Sequence, residues 1–120
     1  MAKVLIIDDQ ASIRNLLRLV LEKEGHEIIE AVDGRDGLVA YQRIPTDLVI
    51  TDIRMPEMSG LDLILELTRA FLDAKVIAIS GQPDADATLS TAKLLGARHV
   101  LRKPFSLQTF LSLVRYELAH

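Results

Sequence analysis

The chain has 120 residues, of which 49% are hydrophobic and 26% charged, so it has the length and composition of a single globular domain with a buried core. Its net charge of −3 and the lack of a Lys- and Arg-rich run argue against direct nucleic-acid binding, and the absence of cysteine excludes disulfides and thiolate metal ligands. The first apolar run is too short for a signal peptide or a membrane span, and we expect one cytoplasmic domain over residues 1–120.

The first half of the chain predicts three strands separated by two helices. Residues 4–7 are a β-branched apolar run, typical of a strand buried on both faces. The helix after it is predicted to end at Gly25, and its inward face carries Ile13, Leu16, Leu17, Val20 and Leu21. Residues 27–31 predict a strand near a sheet edge, because their polarity is mixed, and residues 48–51 predict a third strand. The short helix between these two strands ends before a proline and has on one side Leu38, Tyr41 and Ile44.

The second half continues this alternation. A third helix begins at Ser59 and Gly60, and its apolar residues divide between two sides. One side has Leu61, Ile64, Leu65 and Thr68, and the other has Leu63, Leu67 and Phe71. Residues 75–80 predict a fourth strand. The helix predicted at residues 84–95 has few large apolar side chains, so we expect it to pack lightly and to shift at a low cost in free energy.

A brief fifth strand at residues 100–101 and a last helix capped by Ser106 complete the chain. The inward face of that helix is predicted to carry Leu107, Phe110, Leu111, Val114 and Leu118. Strands that alternate with helices predict a parallel sheet with helices on both faces. Right-handed crossovers bring the carboxyl ends of all strands to one edge. The sequence therefore predicts a doubly wound α/β domain with a five-stranded parallel sheet and five helices.

Chemically useful side chains follow four of the five predicted strands at that edge. They are Asp8, Asp9, Asp52, Ser80 and Lys103. Crowded carboxylates repel one another unless a cation joins them, and an all-oxygen set without His or Cys favours Mg²⁺. The hydroxyl of Ser80 and the ammonium of Lys103 suit phosphate oxygens. Since a carboxylate is a known phosphoryl acceptor, the pattern predicts Mg²⁺-assisted phosphoryl transfer to Asp52.

Each of these positions also has a purely structural interpretation. The two adjacent acids can cap the helix that follows them, and Asp52 can be a turn residue before Pro56. Ser80 and Lys103 can lie in ordinary turns. Each interpretation is reasonable alone, but all of them together would require a coincidence at four strand ends.

The positions that carry a family resemblance are Asp8-Asp9, Asp52 with Met55-Pro56, Ser80, and Lys103-Pro104-Phe105. This set, which extends over essentially the whole chain, resembles the receiver domain of two-component response regulators. The resemblance implies a flavodoxin-like fold with strand order 2-1-3-4-5. It also implies that Asp52 accepts a phosphoryl group from a phosphohistidine on a histidine kinase or a phosphotransfer protein.

The resemblance assigns the remaining site residues as well. Asp9, Asp52 and the backbone carbonyl of Arg54 would bind Mg²⁺, and Asp8 would act through a metal-bound water. Ser80 would reach the phosphoryl group after transfer and Lys103 would pair with it. The implied protein is a signalling switch rather than a classical enzyme, although it catalyses its own phosphorylation and dephosphorylation. Its output would be a change at the surface of helix 4, strand 5 and helix 5 that regulates an effector domain or a partner.

Three features qualify the resemblance. Val100 occupies a position that is usually aromatic in the family, so a rotating ring is not the reporter here. Arg54 and Gln82 lie where the family tunes the lifetime of the phosphoryl group, and a solvated Arg without a kinetic role is the alternative. A structural, partly exposed side chain is the simpler interpretation of His99.

A phosphorylation-dependent homodimer is compatible with the resemblance. Candidates for such a surface are Leu113 and Tyr116, but ordinary partial exposure is the simpler interpretation of both residues.

Other functions are also compatible with strand-end acids. A hydrolase of the haloacid dehalogenase kind also uses strand-end Asp residues, a Ser or Thr, a Lys and Mg²⁺. Such enzymes have an Asp-x-Asp pattern after the first strand, whereas here the two acids are adjacent and Gln10 follows. An FMN-binding flavodoxin-like protein would need a hydroxyl- and glycine-rich loop after the first strand, where these acids would repel phosphate. A receiver-like module that is never phosphorylated is the third alternative.

Overall fold

The computed structural model describes residues 1–120 and contains five strands and five helices in strict alternation. The strands are β1 (Lys3–Ile7), β2 (Glu27–Ala31), β3 (Leu48–Asp52), β4 (Val76–Ser80) and β5 (His99–Arg102). The helices are α1 (Ala11–Lys23), α2 (Gly34–Arg43), α3 (Gly60–Ala70), α4 (Ala85–Leu95) and α5 (Leu107–Ala119). None of the helices has both the length and the hydropathy that a membrane span requires.

All strand pairs are parallel, and the strand order is β2-β1-β3-β4-β5. This is the flavodoxin-like order, so the predicted fold class is confirmed. β2 lies at an edge, as its mixed polarity predicted. Because the order reverses between β1 and β3, the carboxyl ends of these two strands open onto a crevice where α/β proteins usually bind their ligands.

Two hydrophobic layers hold the sheet between its helices. β1 illustrates the division, because Leu5 and Ile7 point to the α2, α3 and α4 side whereas Val4 and Ile6 point to the α1 and α5 side. Burying each such Leu or Ile side chain stabilises the fold by roughly 1.5–3 kcal/mol. The two layers therefore fix the strand ends, on which the candidate site depends.

The helix ends explain which polar residues serve the fold alone. Ser106 accepts a hydrogen bond from the backbone N–H of Thr109, at 3.0 Å, so its predicted cap is confirmed. By contrast, α1 begins after Gln10 and has no side-chain cap. Neither Asp8 nor Asp9 is therefore the N-cap residue of α1, although Asp8 Oδ1 accepts a hydrogen bond from the N–H of Gln10 just before the helix, at 2.9 Å.

Several predicted inward positions are wrong. Leu16 and Ile44 are each 49% exposed and Leu107 is 39% exposed. Ile44 lies beyond the end of α2 in extended backbone, so the helical spacing no longer applies to it. In α3 the two-sided pattern resolves onto one inward face, whose buried residues are Leu63, Ile64 and Leu67. Glu117 of α5 is not among the predicted inward residues, but it is only 3% exposed.

Candidate functional site

Three carboxylates meet at the carboxyl edge of the sheet. Asp8 and Asp9 follow β1, and Asp52 is the last residue of the neighbouring strand β3. One oxygen of each carboxylate lies within 4.8 Å of the others, a spacing at which a single cation can be held. Asp8 is buried, Asp52 is half-buried and Asp9 is exposed, so the cluster runs from the interior to the solvent.

Burial dominates the electrostatics of Asp8. It raises the pKa of that carboxyl from 3.8 to about 6, and the negative charges of Asp52 and Asp9 add to the effect. The backbone N–H of Gln10, which donates to Asp8 Oδ1 at 2.9 Å, and the charge of Lys103 oppose this rise in pKa. Keeping Asp8 ionised therefore costs the folded chain free energy, and a bound cation would lower that cost.

Lys103 supplies the positive charge nearest the acids. Its Nζ lies 3.2 Å from Asp52 Oδ2 and 3.8 Å from Asp8 Oδ2. The backbone N–H of Lys103 donates to the carbonyl of Ser80 at 2.8 Å, which anchors the residue at the end of β4. A Cβ at Gly81 would lie only 2.9 Å from Lys103 Cβ, so the glycine makes room for the lysine stem. The peptide bond between Lys103 and Pro104 is cis.

Asp52 is held from both sides. Its Oδ1 accepts a hydrogen bond from the N–H of Ile53 at 2.8 Å, while Oδ2 faces Lys103. The first residue of α3, Gly60, donates to the carbonyl of Ile53 at 2.7 Å. A Cβ on Gly60 would collide with the carbonyl oxygen of Asp52. Only glycine therefore lets the loop after β3 fold back tightly beneath the carboxylate.

A cavity of about 740 Å³ opens over Asp52. Its polar lining residues include Asp9, Asp52, Arg54, Gln82 and Lys103. Its apolar wall includes Leu16 and Leu107, which explains why these two residues are not in the core. Arg54 Nη1 approaches Gln82 Oε1 at 3.5 Å, so these two side chains meet across the cavity.

Ser80 departs from the predicted convergence. Its side chain is completely buried, its hydroxyl has no hydrogen-bond partner, and it does not line the cavity. Alternation along β4 places Ser80 on the same side as Ala78, towards the α3 and α4 layer. Two side chains are predicted to contact phosphate oxygens. Lys103 lies beside the acids, whereas Ser80 points into the interior.

Sequence reasoning missed two residues that support the acids. They are Gln10, which holds the carboxylate of Asp8, and Arg14, whose Nη1 donates to the backbone carbonyl of Asp8 at 2.6 Å. The available signal was an arginine in the first turn of α1, directly after an apolar residue. That pattern does not reveal a contact with a backbone oxygen.

The region around α4, β5 and α5 lies beside the site. Val100 is half-buried and packs on the α4 side of the sheet. A groove of about 410 Å³ runs between α4 and β5 and includes Leu89 and Val100 in its lining. On the surface, Arg102 Nη1 pairs with Asp86 Oδ1 at 3.0 Å. On the other face of β5, His99 Nε2 contacts Glu117 Oε2 at 2.8 Å and is partly exposed, in agreement with a structural role.

Residues 4–115 match the sequence profile of the response regulator receiver domain. The chain therefore belongs to this family, whose members are generally signalling switches rather than classical enzymes. The match does not favour the hydrolase interpretation.

Known relatives and solved structures agree. The chain is 36% identical to the chemotaxis protein CheY of Thermotoga maritima over 104 residues, 86% of either chain. It is also 36% identical to the transcriptional regulatory protein KdpE of Mycobacterium tuberculosis over 115 residues, which are 96% of this chain but 50% of KdpE. A receiver domain protein from Clostridium thermocellum superposes with a TM-score of 0.91 at 31% identity, covering 99% of this chain and 95% of the other. CheY4 of Vibrio cholerae gives a TM-score of 0.88 at 29% identity, with 98% of each chain covered. This chain thus spans most of its CheY relative and about half of KdpE.

Proposed function

We propose that residues 1–120 form one receiver domain that acts as a phosphorylatable switch of a two-component or phosphorelay system. Asp52 is the phosphoryl acceptor, and the donor is a phosphohistidine on a histidine kinase or a phosphotransfer protein. The observation that carries the proposal is that the Asp52 carboxylate lines an open cavity, with the Lys103 ammonium at 3.2 Å and two further carboxylates within 4.8 Å.

The chemistry requires only that the acceptor be positioned and its charge managed. A carboxylate oxygen of Asp52 attacks phosphorus, the phosphorus–nitrogen bond of the donor breaks, and its electron pair stays on the imidazole nitrogen. An acyl phosphate results. The N–H of Ile53 and the Nζ of Lys103 hold the two carboxylate oxygens of Asp52, so the nucleophile is oriented before the donor arrives.

The residues present fit a magnesium site. All the candidate metal ligands are oxygens. Because burial raises the pKa of Asp8, a positive charge added near its carboxylate would stabilise the folded chain. Asp9, Asp52 and the backbone carbonyl of Arg54 would hold the ion, and Asp8 would act through a bound water. When bound, Mg²⁺ supplies the charge that offsets the acids and the phosphoryl oxygens.

The switch rests on Ser80 and α4. A buried hydroxyl without a hydrogen-bond partner destabilises the fold. A turn of the Ser80 side chain towards new phosphoryl oxygens above Asp52 would give its hydroxyl an acceptor. α4 follows β4 directly and buries only Ala85, Leu89 and Ala92. A helix so lightly anchored can move at a low cost in free energy, and Val100 beside it provides no aromatic ring that could report the movement.

The consequence is a changed surface of α4, β5 and α5 that regulates an effector domain or a partner protein. The ion pair between Arg102 and Asp86 spans that surface and would be remade when α4 moves. Phosphorylation-dependent homodimerisation and a cytoplasmic location stay predictions from the sequence.

One experiment tests the acceptor. The protein is incubated with Mg²⁺ and acetyl phosphate, and its intact mass is compared with that of Asp52→Asn. We expect the mass of one phosphoryl group in the native chain and in Asp73→Asn, a matched change at an exposed loop acid, and none in Asp52→Asn. No addition to the native chain, or an addition that survives in Asp52→Asn, would contradict the proposal.

A further inference from the structure

We propose that Arg14 is a positioning residue for the magnesium site, acting through the backbone of Asp8 rather than as a ligand. The inference rests on the proposed function and extends it to a residue outside the acidic cluster. Arg14 Nη1 donates to the Asp8 carbonyl at 2.6 Å, the shortest of the contacts its guanidinium makes. The guanidinium does not line the cavity over Asp52, so it touches neither the phosphoryl path nor the carboxylates that face it.

The contact fixes the direction of Asp9. The carbonyl of Asp8 and the N–H of Asp9 belong to one planar peptide unit, so a donor that holds the carbonyl also orients the next residue. The N–H of Asp8 is bonded to the carbonyl of Ala31 at 3.2 Å, and Asp8 Oδ1 accepts from Gln10 at 2.9 Å. With the contact from Arg14 to the carbonyl, the backbone N–H, the backbone carbonyl and the carboxylate of Asp8 each make a hydrogen bond to a different residue. The turn that presents the two acids is thereby held in one conformation.

A second acid holds Arg14 in turn. Glu30 Oε1 accepts from Arg14 Nε at 3.1 Å, and Glu30 Oε2 accepts from Arg18 Nη1 at 2.6 Å. Glu30 belongs to β2, whose register pairs it with Ile6 of β1, so its position is set by the sheet. The side chain of Arg14 is only 15% exposed, and a rigid guanidinium fork is well suited to hold a carbonyl and a carboxylate together.

The effect is geometric rather than electrostatic. Removing the positive charge of Arg14 would by itself make the acidic site more negative and so favour a cation, which means that weaker Mg²⁺ binding reports the lost orientation. Loss of the arginine frees the Asp8–Asp9 peptide, and the carboxylate of Asp9 must then be ordered when the ion binds. Residues that orient metal ligands without touching the metal typically contribute tenfold to a hundredfold in affinity.

The test compares two arginines that share one partner. Arg14→Gln and Arg18→Gln each remove one positive charge and one contact with Glu30, but only Arg14 contacts Asp8. Titration calorimetry of the intact chain with Mg²⁺ is expected to give a Kd about tenfold weaker in Arg14→Gln and within about twofold of native in Arg18→Gln. Arg14→Lys, which can donate to the carbonyl or to Glu30 but not to both, is expected to lie between.

A second measurement needs no metal. Amide hydrogen exchange at Gln10, whose N–H donates to Asp8 Oδ1, is expected to quicken in metal-free Arg14→Gln and to stay native-like in Arg18→Gln. If Arg14→Gln does not fold, Glu30→Ala removes the partner that orients the arginine and is expected to weaken Mg²⁺ binding and quicken the same exchange. Equal Kd values and equal exchange in the two arginine variants would overturn the role of Arg14 alone. A native chain that binds no Mg²⁺ would overturn the proposed function as well.

Discussion

Two buried carboxylates at opposite edges of the sheet have different surroundings. Asp8 at the carboxyl edge is 4% exposed, and Glu117 near the amino end of β5 is 3% exposed. The carboxylate of Asp8 lies beside two more acids, and Lys103 Nζ approaches its Oδ2 at 3.8 Å. Glu117 instead lies 2.8 Å from His99 Nε2 and 4.0 Å from Arg98 Nη1, although its Oε1 lacks a hydrogen bond.

The two carboxylates differ in what the neighbouring side chains contribute. The chain itself provides partners for Glu117, and Lys75 Nζ also donates to its backbone carbonyl at 2.7 Å, which ties the end of α5 to the start of β4. The carboxylate of Asp8 instead lies among two further acids, with one lysine ammonium at 3.8 Å. Since buried charges are costly unless they are paired, a cation added at this cluster would stabilise the folded chain.

The largest effect is expected from Asp8→Asn. Since folding raises the pKa of Asp8 from 3.8 to about 6, ionisation favours the unfolded chain, and stability is lost as the pH rises through that window. An asparagine does not titrate, so the variant should be more stable than native at pH 7 without metal by on the order of 2–3 kcal/mol. Urea unfolding at several pH values measures this. The gain should vanish below about pH 4, and a pH-independent difference would contradict the assignment to Asp8 ionisation.

Mg²⁺ should act on native protein in the same direction. A ligand at a hundred times its Kd stabilises the folded state by about 2.7 kcal/mol, and thermal unfolding with and without Mg²⁺ measures it. Asp9→Asn and Asp52→Asn should lose most of this stabilisation. Ca²⁺ and Na⁺ serve as controls for ion size and charge. A stabilisation that is equal in the native chain and in both variants would place the ion elsewhere.

The same acid-to-amide change at the other carboxylate should have the opposite sign. Glu117→Gln keeps an oxygen for His99 but loses the negative charge that faces Arg98, so we expect a destabilisation of about 1–2 kcal/mol at pH 7. The measurement is urea unfolding, with Glu66→Gln at an exposed position of α3 as the matched control. Stabilisation by Glu117→Gln would erase the contrast between the two edges.

The smallest effect is expected at the rim of the acidic site. Arg54 is exposed and meets Gln82 at 3.5 Å, a contact worth at most about 1 kcal/mol, so Arg54→Ala should speed dephosphorylation by less than about fivefold. A phosphate-release assay on phosphorylated protein measures the rate. Arg69→Ala, an exposed arginine on α3, is the control. An unchanged rate would mean that Arg54 is only a solvated side chain.

The elements and the residues of the acidic site follow closely from the sequence. Short β-branched runs fix strands, and an acid at the end of such a run is carried to the carboxyl edge by the parallel topology. That reasoning placed Asp8, Asp9, Asp52 and Lys103 together, and the structure brings them within reach of one another. It failed for Leu16 and Leu107, because helical spacing identifies an apolar side but not the cavity that ends the core.

Local pattern thus determined the alternation of elements, the parallel sheet and the acids that meet at its edge. Tertiary structure alone decided how those acids differ. The burial of Asp8, the turning of Ser80 into the interior and the pairing of Glu117 with His99 each depend on segments far apart in the chain. The physical reason is that burial and charge pairing are properties of packed neighbours, whereas sequence periodicity reports only which face of an element a residue occupies.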